Sequence, residues 1–184
     1  MLSDSSRLLL LRQAHEAVES WPDPPPPIPE GELTDELRQP GGMFVTWTER
    51  GELRGCIGRV EADGPLHETV AQLAPAAAFS DPRFRPVQPE EFPLLRAEIS
   101  VLTPPEPIGG PEDIEIGRDG LIVSLGRRSG LLLPQVASER GFTPQQFLAA
   151  TCYKAGVPLD SWREGARVLR FSAEVFADPE APDA

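Results

Sequence analysis

Leu53-Arg54-Gly55-Cys56-Ile57-Gly58 is the stretch on which the reading of this chain turns. Just before it, Met43 to Thr48 alternates and is rich in β-formers, which predicts a strand. Glu49-Arg50-Gly51-Glu52 supplies a turn, with Gly51 placed for a positive φ. The chain then returns as Leu53 to Val60, giving a β-hairpin. Gly55 and Gly58 fall inside the second strand. Glycine weakens a strand, so its presence there predicts a bulge or the close approach of another backbone or a ligand. In an unbroken strand Arg54, Cys56 and Gly58 share one face, and Leu53, Gly55 and Ile57 the other.

Working outward toward the N-terminus, residues 4–20 have the spacing of an amphipathic helix. Leu8, Leu11, His15 and Val18 form its stripe, with Ala14 beside it and Asp4 or Ser5 as cap. Pro22 and then Pro24 to Pro27 end that helix and read as a stiff linker over 22–30. Thr34 to Arg38 is expected to make one helical turn. Toward the C-terminus, Pro65 to Phe79 predicts a helix burying Leu66, Val70, Leu73 and Ala77, with a kink or restart at Pro75. Leu94 to Leu102 predicts a strand, and Gly120 to Leu125 with Gly130 to Leu133 a hairpin around Gly126 to Ser129. Thr143, Pro144 and Gln146 mark a capped helix start, and Gly156 its end. Ala166 to Phe176 alternates as a closing strand. Residues 178–184 form an acidic tail expected to fray. Hairpins alternating with separate helices predict an α+β fold, a mainly antiparallel sheet with packed helices. The organisation expected is a single domain over residues 1–184, with room for a small sub-lobe.

Composition narrows the function classes. The chain has 184 residues, 40% hydrophobic and 25% charged, enough for a real core. A formal net charge of −12 argues against a nucleic-acid partner, which calls for a basic face. The two cysteines, Cys56 and Cys152, make neither a disulfide framework nor a zinc motif. A reduced cytoplasmic setting is the simplest expectation. No apolar run approaches the length that spans a bilayer, so no membrane association is expected.

The candidate site centres on Cys56. Flanking glycines let a substrate approach the backbone, and Arg54 is placed to stabilise a thiolate. The competing expectation is a small cysteine buried in a tight sheet. His67 is a candidate base and Glu98 a candidate acid or base, with Arg54 as a structural ion-pair partner for Glu98. Asp81 and Arg83 either pair with each other around Pro82 or present Arg83 to an anion. Gln135, after Pro134 at a helix start, either offers its amide to a ligand or satisfies the backbone. The glycine-arginine loops at 117–120 and 126–130 lack phosphate-loop spacing and read as turns with possible anion contacts. No spacing supports a metal site, and no cofactor can be named.

The hexapeptide and four further blocks resemble the AMMECR1-like family in order. Those blocks are Ala77 to Phe84, Glu98 to Thr103, Gly130 to Ala137, and Thr151 to Gly156. The resemblance runs from residue 43 to residue 176, and the proline-rich stretch lies outside its best part. It implies an α+β fold grouped with nucleotide-, nucleic-acid- and peptide-binding architectures. It also implies a role as AmmeMemoRadiSam system protein A, beside a radical-SAM protein and a Memo-like protein. Three functions follow. The first is an accessory protein binding a partner, a peptide or a small anionic ligand at a cleft formed by Arg54, Gly55, Gly58, Asp81, Arg83 and Gln135. The second is an enzyme using Cys56 with Glu98 or His67. The third is nucleotide or RNA binding through the arginines.

Overall fold

The hairpin carrying the hexapeptide forms as expected, with one displacement that matters. In the computed structural model, which describes residues 1–60 and 63–179, β1 (Met43–Glu49) pairs antiparallel with β2 (Glu52–Arg59). Arg50 and Gly51 turn the chain with φ of 53° and 82°. Thr48 faces Leu53, but Trp47 faces Gly55, so Arg54 is the extra residue of a β-bulge. The bulge resets the faces: Gly55 and Ile57 lie opposite Trp47 and Val45, and Cys56 and Gly58 opposite Thr46 and Phe44. The expected alternation of Arg54 with Cys56 is therefore broken at Arg54. β3 (Leu95–Leu102) pairs antiparallel with β1 on its other side.

The chain divides into two compact units. One comprises residues 1–102 with 174–184, and the other residues 103–173. In the first, α1 (Asp4–Glu19) and α3 (Leu66–Phe79) pack together and cover one face of β1–β3. Met43, Val45, Trp47, Ala97 and Ile99 are buried there with Leu10, Ala14, Val70 and Ala74. Trp47 is wholly buried, and its indole N–H donates to Ala74 O at 2.9 Å. Left unmatched, that donor would cost about 1–3 kcal/mol.

Two expectations about α1 are corrected. Its cap is Ser3, whose hydroxyl accepts from Ser6 N, and not Asp4 or Ser5. Leu8 points to solvent, because the buried stripe runs through Leu10, Ala14, Ala17 and Val18. α3 continues through Pro75 without a restart. The single turn α2 (Asp35–Arg38) is capped by Thr34. Asp178, the first residue of the expected tail, donates its N–H to Ala97 O. Its Oδ2 accepts from Ala97 N at 2.8 Å and lies 2.7 Å from His15 Nε2. The tail from residue 180 onward lies outside the described residues.

The second unit has its own core. β5 (Asp119–Leu125) pairs with β6 (Arg128–Leu132) and with β7 (Arg167–Ala177), and the short β4 (Glu106–Pro107) also pairs with β7. Arg128 and Ser129, expected in the turn, belong to β6, and Gly126 turns the chain at φ 62°. α5 (Pro144–Lys154) starts at the Thr143–Gln146 capping box and buries Phe147, Leu148 and Cys152 with Leu121 and Val123. α4 (Pro134–Glu139) packs beside β5. No helix among the described residues is long and apolar enough to cross a membrane.

Candidate functional site at the edge of the hairpin

β2 is an edge strand beside β1, and its hexapeptide is occupied in closing that edge. An exposed edge offers unpaired N–H and C=O groups to any other strand. Here the segment after α3 folds back to meet them. Asp81 and Pro82 open a turn in which Phe84 N donates to Asp81 O, as Asp at the first and Pro at the second turn position favour. Asp81 Oδ2 accepts the Cys56 N–H at 2.9 Å, and Arg83 Nη2 donates to Cys56 O at 3.2 Å. Both edge groups of Cys56 are matched.

The Asp81–Arg83 pair exists and is bidentate, at 3.0 Å from Nε to Oδ1 and 2.6 Å from Nη2 to Oδ2. The Arg83 side chain, helped by the Cys56 and Arg83 backbone N–H groups, holds the buried Asp81 carboxyl far below the usual range, although burial pushes the other way. Asp81 in turn raises Arg83. Arg83 is half exposed and lies 5.4 Å over the Phe84 ring.

Arg54 does not pair with Glu98. Its Nε and Nη2 donate to Glu91 at 2.8 and 3.2 Å, and its Nη1 donates to Arg85 O at 2.8 Å. Glu91 sits in the 3₁₀ turn Pro89–Leu94 and also accepts from Gln88 N at 2.7 Å. Arg54 is the main reason that the Glu91 carboxyl titrates at about 2. With three of its donors spent on the fold, Arg54 is committed to the latch and not to a thiolate.

The glycines are explained by close approach. A Cβ on Gly55 would stand 2.0 Å from Ala77 O of α3, and one on Gly58 would stand 2.2 Å from the Phe44 ring. Cys56 is half-buried, and the Thr46 hydroxyl donates to its Sγ at 3.2 Å. Thr46 lies between Cys56 and Glu98, which it faces on β3. The three side chains form one row on the face of the sheet opposite Trp47. Cys56 and Glu98 are two strand spacings apart, roughly 10 Å.

His67 is not brought to this row. It stands at the start of α3, ten residues before Ala77, or about 15 Å along the helix. Its Nδ1 lies 2.9 Å from Leu37 O. Gln135 is exposed on α4 in the second unit. Cys152 is fully buried, and burial pushes its thiol up. Among the described residues no group of three or more His, Cys, Asp or Glu side chains is placed to hold a metal ion.

Sequence reasoning missed Glu91 and Thr46. Glu91 had a signal, since Gln88-Pro89-Glu90-Glu91 has the spacing of a helix start with a carboxylate at the third position. Thr46 had none, because it meets Cys56 only through the one-residue shift at Arg54.

The AMMECR1 family model matches residues 11–176, which include the hairpin, the latch and all of the second unit. The chain belongs to the AMMECR1 family. A Thermococcus gammatolerans relative is 45% identical, over 94% of this chain and 91% of its own length. A Methanothermobacter thermautotrophicus relative is 49% identical over 79% of each. The crystal structure of uncharacterized protein PH0010 from Pyrococcus horikoshii has 43% identity and a TM-score of 0.80, over 92% of this chain and 89% of that one. The α+β architecture is thus an AMMECR1 architecture.

Proposed function

We propose that this AMMECR1-family chain is an accessory binding protein whose contact surface is the row Cys56–Thr46–Glu98 beside the latched edge. The observation that carries this reading is the commitment of the hexapeptide's polar groups. Arg54 and Asp81 are bonded into the fold, and His67 stands at the far end of α3, so neither a free cation nor a histidine base serves Cys56. What is left is a rigid, half-buried polar face, which suits recognition of a partner or peptide by shape and hydrogen bonding. The partners proposed are a radical-SAM protein and a Memo-like protein, on the family resemblance alone.

One observation favours the enzymatic alternative. The Cys56 thiol is partly open, with a hydroxyl donor on it and the Arg83 guanidinium at its own carbonyl. Co-purification of the full chain with each proposed partner tests the first reading. The wild type and Cys56→Ser are expected to capture a partner, and Glu98→Arg, with its fold verified by circular dichroism, is expected to lose it. Undiminished capture by Glu98→Arg would remove this face as the contact surface.

A further inference from the structure

We propose a second binding site, for a small ligand that carries a primary ammonium or guanidinium group on a short aliphatic body. It lies in the first unit, where the proline run, expected to be a linker, borders a cavity of about 370 Å³. That volume lies in the range of small-molecule sites.

The polar lining selects a donor. Gln13 of α1 is only 4% exposed. Its Nε2 donates to Pro26 O at 3.2 Å, which fixes the orientation of the amide. Its Oε1 has no hydrogen-bond partner among the described residues. A buried acceptor of this kind calls for a donor. His67 faces the Leu37 carbonyl with Nδ1 at 2.9 Å, so that nitrogen donates, and its Nε2 lies 3.8 Å from Glu68 Oε1. Glu68 contributes a carboxylate, while Glu30 is already paired with Arg38 at 2.5 Å. Neither lysine nor arginine lines the cavity among the described residues. An ammonium offers three donors and no acceptor, which matches the Gln13 oxygen and the Glu68 carboxylate, whereas an anion would be repelled by that carboxylate.

The apolar lining selects the body. Pro25, Pro26, Pro27 and Ile28 form one wall, and Leu33 and Ala71 contribute the rest. A methylene chain is buried there while its charged head reaches the acceptors. Proline fixes its own φ, so the wall is ordered before the ligand arrives and binding loses less conformational entropy.

The test is a titration of the ¹⁵N-labelled full chain with n-hexylamine, with hexanoate and n-hexanol as controls. We expect saturable shifts for hexylamine at the Gln13 side-chain amide and at the Ile28, Leu33 and Ala71 backbone amides. Gln13→Met is expected to weaken binding at least about tenfold. Should that variant not fold, Glu68→Gln, at an exposed position, is expected to weaken it about threefold. The absence of any shift would overturn the site. An equal response to hexanoate or hexanol, or wild-type affinity in Glu68→Gln and in a folded Gln13→Met, would equally overturn it.

Discussion

Gly55 and Glu91 show how much of the hexapeptide's constraint is steric and electrostatic. Gly55 lies against the Ala77 carbonyl, a backbone atom that cannot swing aside. Gly55→Ala is expected to lose about 3 kcal/mol or more in chemical denaturation. Gly51→Ala, with open space around it and only a φ of 82° to resist it, is expected to lose about 1–2 kcal/mol. Glu91 makes the pH prediction. Its folded carboxyl titrates at about 2, below the ordinary 4.5, so the unfolded chain binds more protons between those values. The Arg54 contact is therefore fully present above about pH 4.5 and lost as pH falls toward 2. Glu91→Gln should be less stable than the wild type by on the order of 2 kcal/mol at neutral pH, with the gap closing across that acid window. A gap that is constant with pH would contradict the assignment.

At the scale of elements, the edge of β2 and its covering segment act together. Asp81, Arg83 and Glu91 come from one stretch, Ser80 to Leu94, and all three hold Arg54 or Cys56. Arg54→Lys keeps the charge but cannot reproduce the fork to Glu91 with a third bond to Arg85 O. It is expected to speed hydrogen exchange at the Cys56 amide and across residues 80–94, with little change in β3. The strands and long helices were legible in the sequence because their apolar periodicity and caps are local, as at Thr143 to Gln146 and Met43 to Thr48. The bulge was legible only as a glycine out of place. The faces assigned around Arg54 were wrong because a single inserted residue, invisible to alternation, shifts everything after it. The Arg54–Glu91 pair escaped for a related reason: it joins residues 37 apart through a turn, and nothing in the spacing states which carboxylate arrives there.

At the scale of the molecule, each of the two compact units has its own buried core. Phe147 anchors the core of the second, fully buried with Leu121 and Leu148. Phe147→Ala is expected to cost about 3–5 kcal/mol and to raise exchange across β5, β6 and α5. The family relationship covers both units. On the proposed reading the hexapeptide is a structural edge beside a binding face, with Cys56 present there as a contact and not as an activated nucleophile. Native-state alkylation of the full chain with iodoacetamide, followed by mass spectrometry, tests this most directly. Cys56 is expected to be modified no faster than free cysteine under the same conditions, and Cys152 only after unfolding. Modification of Cys56 orders of magnitude faster than free cysteine would contradict it and return the chain to the enzymatic reading.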